Sequence, residues 1–570
     1  MKKGATILII LVVFLVLIVA TVASFFFFEF GRPPSVSSRS YLEIHLKGAV
    51  QEKAAPDFFS TLLMQKPALG MHDIWMNLRK ARSDDRVKAL VLRLGYLECD
   101  WGKINEIREA VLDFRMGGKK AYAYIEESMD SDKEYYLATA CDQICLNPMG
   151  SLIVNGIGGD VLFLKKTLDK IGVEAEIEHL EEYKTAYHMF TKEGFTPAQK
   201  NMMESIYGDI FDQYIHTTAA ARKKSEEDMR ALIDRGYFSA EAALETGLVD
   251  ALLYEDEFTD LVRGDQGKIV RLPHAAYSQI KPSSLGLDKG RKIALIYGMG
   301  PIHSGEGTFQ SMGSTTVARW FRQVRTDKSI EAVVFRIDSP GGSVVASDVI
   351  WREVWLTRKE KPVIVTMSDM AGSGGYWVAM HANRIFAHPQ TLTGSIGIIF
   401  GKFNMMRLYE KIGVTSESLL FGRNADMFSS FARFRPEVRD MVREEMRKTY
   451  DHFIAQVADG RGMSKEDVEK IAKGRVWTGR QAQKLGLVDE MGGLSEAIAA
   501  AKEEAGIPDT ESVRLVVLPR DYSFFDVLFS AFSSRLSRIQ DARFQKLLTI
   551  FKALKDEPRW ALMPLLFGPQ

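Results

Sequence analysis

Three cysteines in 570 residues, Cys99, Cys141 and Cys145, make no even disulfide framework. No CxxC pair and no HExxH occurs, and the ten histidines are scattered, so no metal is predicted. Neither sign of charge is in surplus. Lys+Arg and Asp+Glu each total 74, so nothing points to nucleic acid as a partner. Low-complexity tracts are also missing. What is there is an ordinary globular composition, 46% apolar and 26% charged, long enough for two or more cored domains.

Long charge-free runs are scarce, and one stands out. Lys2 and Lys3 precede residues 4–28, which carry no charge. Crossing a bilayer takes about 20 apolar residues. The two lysines predict a cytoplasmic N-terminus and a body on the far side of the membrane. A cleaved signal peptide competes, with Thr21-Val-Ala23 as its cleavage site. The run continues through Phe25-Phe-Phe-Phe28, which favours an uncleaved anchor over residues 1–30. Residues 31–38, with two prolines and three serines, read as a linker.

The body of the chain is duplicated. Val87-Lys-Ala-Leu-Val-Leu-Arg-Leu94 resembles Ile330-Glu-Ala-Val-Val-Phe-Arg-Ile337. The stretch 135–148 resembles 376–389, and 238–250 resembles 477–489, in the same order and at nearly constant separation. The repeats span 40–285 and 290–520, joined near 281–290. Each reads as α/β. In the second, 292–297, 332–337 and 362–367 are short apolar or β-branched runs, and 345–358 and 435–458 carry helical patterns. Alternating strands and helices predict a largely parallel sheet covered by helices. The tail, 521–570, has no partner in the first repeat. Its Phe524, Phe525, Val527, Leu528, Phe532 and Leu536 line one face of a predicted helix, most simply for packing against the domain.

Chemistry gathers in Asp369-Met-Ala-Gly-Ser-Gly-Gly-Tyr-Trp377. A β-type run leads in and a helical run leads out, so Ser373 sits at a sharp strand-to-helix turn. Gly372, Gly374 and Gly375 allow tight backbone angles and close approach of a substrate. A hydroxyl there lies near a helix N-terminus, whose free N–H groups favour developing negative charge. Taken alone, the stretch is equally a glycine-rich turn with an incidental serine. Asp338-Ser-Pro-Gly-Gly-Ser343 follows the preceding strand. Its open N–H groups, with Gly342 the choice, can form an oxyanion hole together with the N–H of Gly374. Strand C-termini of a parallel sheet lie side by side, where sites tend to form. The serine's base stays open at this point. His381 and His388 are near in sequence but in no motif. A desolvated lysine also serves, and the residues alone do not choose one.

Asp338-Ser-Pro-Gly-Gly342, Met370-Ala-Gly-Ser-Gly-Gly-Tyr376 and Leu392-Thr-Gly-Ser-Ile-Gly397 together resemble the signal peptide peptidase A family. These are membrane-anchored serine–lysine peptidases of the ClpP/crotonase-like superfamily. The resemblance runs to about Pro519 and matches the family's double-length form. It implies two tandem ClpP/crotonase-like domains behind an N-terminal transmembrane helix. It implies Ser373 as nucleophile. It implies Lys184, in Glu182-Tyr-Lys-Thr-Ala186, as the base contributed by the first repeat, and Ser395 as the residue orienting that lysine. It further implies short apolar peptide substrates such as signal peptides, a homotetramer, no cofactor, and a single-pass position in the cytoplasmic membrane with the bulk outside. The repeat agrees with a divided site: Asp132 falls opposite Ser373, and Asn424 opposite Lys184. Two rivals remain. One is an α/β-hydrolase-type esterase with a serine–histidine pair, for which His452 is the only late histidine. The other is a non-catalytic membrane scaffold.

Overall fold

The computed structural model describes residues 35–54, 69–126, 131–264, 269–520 and 559–562. The predicted anchor, and the tail face built on Phe524 to Leu536, lie outside the described residues. Among the described residues no helix is long and apolar enough to cross a membrane.

The first repeat contributes β1 (Ser40–Gln51), β2 (Val87–Glu98), β3 (Lys120–Ile125), β4 (Gln143–Leu146), β5 (Glu174–His179), β6 (Ala251–Leu252) and β7 (Val270–Pro273). All of these except β5 form one sheet in the order β7-β1-β2-β3-β4-β6, with parallel pairing throughout. Helices Met71–Ser83 and Trp101–Met116 are crossovers between its strands. The second repeat contributes β8 (Lys292–Met299), β9 (Ile330–Ser339), β10 (Gly341–Ser343), β11 (Val363–Gly372), β12 (Arg384–Ala387), β13 (Leu392–Gly394), β14 (Ile399–Asn404), β15 (Val476–Thr478) and β16 (Arg514–Leu518). Its sheet runs β15-β13-β11-β9-β8-β16, with β12 on β11. Only the β13–β15 pairing in that order is antiparallel. The apolar runs read from the sequence are β8, β9 and β11, and the two helical patterns are Val344–Arg358 and Pro436–Arg461.

These strands are buried on both faces, which is why they are almost continuously apolar. Successive side chains alternate between two cores. From β8, Ile293, Leu295 and Tyr297 join a cluster that also holds Leu42, Leu90, Trp101 and Tyr135 of the first repeat. Ala294 and Ile296 face the opposite way, into a cluster with Phe335, Tyr376 and Phe453. The two repeats therefore share one of their cores.

A further sheet joins the repeats directly. β5 pairs antiparallel with β14, from Ile399 opposite His179 to Asn404 opposite Glu174. β17 (Arg559–Leu562), from the tail, lies antiparallel between β14 and β10.

Candidate active site

Ser373 stands between the end of β11 and the helix Gly374–Ala379. Its backbone is strained, with φ 55° and ψ −109°. Such a conformation costs a non-glycine residue about 1–3 kcal/mol. The strain thus falls on the serine itself, whereas the sequence pattern places it on Gly372, Gly374 and Gly375, none of which has a positive φ. Hydrogen bonds hold the turn: Ser373 N–H donates to the Gly394 carbonyl (2.8 Å), and Trp377 N–H to the Ser373 carbonyl (2.8 Å). The neighbouring glycine serves close approach instead. A Cβ on Gly374 would lie 2.5 Å from Ser347 Oγ and 3.1 Å from the Gly342 nitrogen. Gly342 and Gly374, the predicted oxyanion donors, are therefore neighbours beside the serine. Gly342 is wedged against its other neighbour too, since a Cβ there would lie 2.0 Å from the Ile302 carbonyl oxygen.

The β5–β14 pairing carries the segment after β5 across to the second repeat. Lys184 Nζ lies 2.7 Å from Ser373 Oγ, 2.7 Å from the Ser395 carbonyl oxygen and 3.0 Å from Ser395 Oγ. Lys184 is 1% exposed. Burial pushes its pKa well below the usual lysine range, and no nearby carboxylate opposes the shift. Ser395 is also held at positive φ, 53°, with its N–H on the Arg475 carbonyl (2.7 Å). The structure thus brings Ser373, Lys184, Ser395, Gly342 and Gly374 to one place.

Sequence reasoning missed two contributors. Gly474 forms the floor beneath the lysine: a Cβ there would fall 2.5 Å from both the Lys184 nitrogen and its Cβ. Next to it, the Lys473 carbonyl accepts from Tyr183 N–H (3.1 Å). In the sequence Gly474 is indistinguishable from any turn glycine. The second contributor is Lys103, on helix Trp101–Met116 of the first repeat. Its Nζ lies 2.5 Å from Asp338 and 2.6 Å from Asp369, the acids leading into the Pro-Gly-Gly turn and the serine turn. Burial alone would lower the Lys103 pKa, but the two carboxylates, with Glu52, outweigh it and hold the pKa well above the usual range. Burial pushes the Asp338 pKa up to about 6, against the pull of Lys103. No motif marks Lys103, because its partners come from the other repeat.

The histidines are engaged elsewhere. His381 bonds Trp351 (2.8 Å) and Asp459 (3.0 Å), and His388 bonds Asn105 (3.1 Å). His452 is half exposed, 3.8 Å from Asp348. Among the described residues none hydrogen-bonds Ser373, which leaves the serine–histidine esterase without its pair. At the mirror positions, Asp132 accepts the N–H groups of Asn155 and Gly156 (both 3.2 Å), and exposed Asn424 accepts from Arg435 (2.8 Å).

Parallel strands ending at a strained serine beside a buried lysine place the chain among α/β hydrolytic folds. Residues 113–266 and 356–508 match Peptidase family S49, once in each repeat. The chain is 34% identical over 510 residues to the chloroplastic serine protease SPPA of Arabidopsis thaliana, covering 88% of this chain and 74% of that protein. It is 35% identical over 452 residues to Protease 4 of Salmonella typhi, covering 76% and 72%. Protease 4 of Haemophilus influenzae is 33% identical over 451 residues, covering 76% and 72%. The chain belongs to peptidase family S49 and is a serine endopeptidase built from two S49 repeats.

Proposed function

We propose that this endopeptidase works through a Ser373–Lys184 dyad and degrades short apolar peptides such as cleaved signal peptides. The observation that carries the reading is the 2.7 Å approach of a buried lysine amine to Ser373 Oγ, with no carboxylate to keep that amine charged. Neutral Lys184 accepts the hydroxyl proton as Ser373 Oγ bonds to the peptide carbonyl carbon. The carbonyl π electrons move to oxygen, where the N–H groups of Gly342 and Gly374 stabilise the charge. Collapse breaks the C–N bond, and Lys184 passes its proton to the leaving amine. Water then bonds to the acyl carbon as Lys184 takes its proton, the bond from that carbon to Ser373 Oγ breaks, and Lys184 returns the proton to Oγ, 2.7 Å away. Ser395 orients the amine through its carbonyl and hydroxyl.

The tail strand supports an extended peptide as ligand. β17 pairs with β10 through Gly341, Gly342 and Ser343, and with β14 through Ile399 and Phe400. A substrate strand laid in that slot would have its backbone polar groups paired on both edges. Residues 4–28 would anchor the chain once through the cytoplasmic membrane with the catalytic body on the periplasmic or extracellular side, where apolar peptides leave the bilayer. The working form is a homotetramer, as the family resemblance implies.

A fluorophosphonate probe tests the dyad by intact mass. Wild type should gain one adduct, and both Ser373→Ala and Lys184→Ala should gain none. Equal labelling of Ser373→Ala would overturn the assignment.

A further inference from the structure

We propose that Glu181 and Arg447 are positioning residues for the reaction: their ion pair, one partner from each repeat, holds the segment that sets the Lys184 amine on Ser373. The inference rests on the Ser373–Lys184 dyad proposed above and names what keeps the two halves of that dyad in register.

Backbone strain points to the pair. Among the described residues six non-glycine residues have a positive φ, and four of them surround the dyad: Glu181 (53°), Ser373 (55°), Ser395 (53°) and Lys473 (51°). Ser373 and Ser395 are bonded to the lysine amine. Glu181 and Lys473 take no part in the chemistry assigned to the site. A left-handed conformation persists at such residues only where the surroundings enforce it. One helix does so for both. Arg447, on helix Pro436–Arg461, lies 3.0 Å from the Glu181 carboxylate. Three residues on, and so on the same face, the buried Tyr450 hydroxyl accepts the Lys473 N–H (3.2 Å). Arg447 also lies over the Tyr450 ring, 5.5 Å from its centre.

The lysine segment needs such a hold. β5 ends at His179, opposite Ile399, and residues 180–187 belong to no strand or helix. Lys184 therefore sits beyond the last paired residue of the strand that delivers it, with Glu181 between the two. Past Glu181, the second repeat grips Tyr183 twice. Its N–H donates to the Lys473 carbonyl (3.1 Å), and its ring carries the Arg475 guanidinium, 4.8 Å from the ring centre. Residues 473–475 grip the other side of the site as well. Gly474 N–H donates to the Ile396 carbonyl (2.7 Å), and the Arg475 carbonyl accepts the Ser395 N–H (2.7 Å). They form a saddle with Lys184 on one flank and Ser395 on the other. Arg447 fixes the approach to the lysine, and Tyr450 fixes the saddle.

A misplacement of about 1 Å can cost about 100-fold in rate. The Arg447 side chain is 47% exposed, and exposed ion pairs contribute little to folding. The pair should therefore act on turnover far more than on stability.

The test is steady-state hydrolysis of a short apolar fluorogenic peptide by the full chain across pH. Glu181→Gln and Arg447→Gln should each lower kcat about 10- to 100-fold, with KM little changed. Each should also move the midpoint of the kcat–pH profile upward. A loosened segment lets water reach the Lys184 amine and relieves the burial that holds its pKa down. The double variant should be no worse than either single one, as expected of groups that act as a pair. Exchanging the charges, Glu181→Arg with Arg447→Glu, should recover part of the lost kcat. Tyr450→Phe, which removes only the acceptor for Lys473, should repeat the effect of Arg447→Gln. Arg433→Gln breaks the ion pair with Glu174 at the far end of β5 (2.6 Å) and should leave kcat and the pH midpoint at wild-type values. Single variants at Glu181 and Arg447 with wild-type kcat and pH midpoint would overturn the inference. So would a fall in kcat with a lowered thermal midpoint and an unmoved pH profile, the mark of a merely structural pair. Lys184→Ala run alongside separates the two readings. If it is inactive while the Glu181 and Arg447 variants match wild type, only the positioning role falls. If it retains turnover, the dyad falls and the positioning role with it.

Discussion

Lys103 Nζ sits 2.6 Å from Asp369 Oδ2, and the two residues belong to different repeats. Asp369 also accepts the Lys103 backbone N–H (2.8 Å). The same ammonium reaches Asp338, and next to it Arg336 is paired with Glu52 and Glu106 of the first repeat. The strands that lead to the serine turn and to the Pro-Gly-Gly turn are therefore clamped by one cation from the other repeat. Removing one partner of a buried pair leaves uncompensated charge and costs about 3–5 kcal/mol. Lys103→Met should lose about that much in urea denaturation. Adding Asp369→Asn should lose less than the sum of the single changes, because the carboxylate left behind is then neutral. Strict additivity would mean that the two groups do not act as a pair.

The Lys184 amine has the opposite electrostatics, with no anion beside it and its pKa driven well down by burial. Only the neutral form can take a proton, so activity should rise with pH through one ionisation that lies below the ordinary lysine value of about 10.4. Lys184→Arg should be inactive because guanidinium stays charged. Stability carries the same sign. A lysine whose folded pKa is depressed binds fewer protons in the fold than in the unfolded chain, so it penalises folding at neutral pH, and the penalty fades as pH rises toward the unfolded pKa. Lys184→Met should accordingly abolish turnover yet raise the thermal midpoint at pH 7. A lower midpoint, or a flat pH–activity profile, would contradict a neutral buried lysine.

Gly342 offers a backbone test. A Cβ there would press 2.0 Å from the Ile302 carbonyl oxygen, so Gly342→Ala must displace β10 and with it the N–H assigned to the oxyanion. Loss of one such donor costs about 100- to 1000-fold in turnover. Circular dichroism should show a folded variant with kcat reduced at least that far. Near-normal kcat would remove Gly342 from the oxyanion hole.

How much of this could be read from the chain differs by element. Strands β8, β9 and β11 were legible because burial on both faces writes an unbroken apolar run, and the duplication was legible from three ordered matches. Ser373, Gly342 and Gly374 could be singled out because each sits in a glycine-rich strand end. Lys184 could not be chosen from the residues, since a lysine in a Glu-Glu-Tyr-Lys segment looks solvated; only the family resemblance picked it. Its burial is produced by the β5–β14 pairing between residues far apart in sequence. Lys103 and Gly474 were illegible for the same reason, their contacts being wholly tertiary. The shared core was also unforeseen. Ile293, Leu295 and Tyr297 pack with first-repeat residues, so the second repeat expressed alone would expose part of its own sheet.

The tail strand leads to the remaining prediction. β17 lies antiparallel on β10, with Gly341 opposite Leu562, Gly342 opposite Ala561 and Ser343 opposite Trp560. Its other edge meets β14, with Ile399 opposite Trp560 and Phe400 opposite Arg559. The pairing edge of Gly341–Ser343 is the edge an incoming peptide would need, so β17 and a substrate strand compete for it. A competitor tethered to the same chain acts as an unproductive conformation, and the apparent KM rises by the inverse of the unoccupied fraction, about tenfold for 90% occupancy. Deleting residues 559–570 should therefore lower KM for a short apolar fluorogenic peptide, with kcat little changed because Ser373, Lys184 and Ser395 are untouched. Steady-state kinetics of the full and shortened chains reads both constants. An unchanged KM would show that the slot between β10 and β14 is not where the peptide binds, or that the tail leaves it freely. A free peptide with the sequence of residues 559–567 separates these two results. Competitive inhibition of the shortened enzyme would place ligand in the slot, and no inhibition would remove the slot from the binding path.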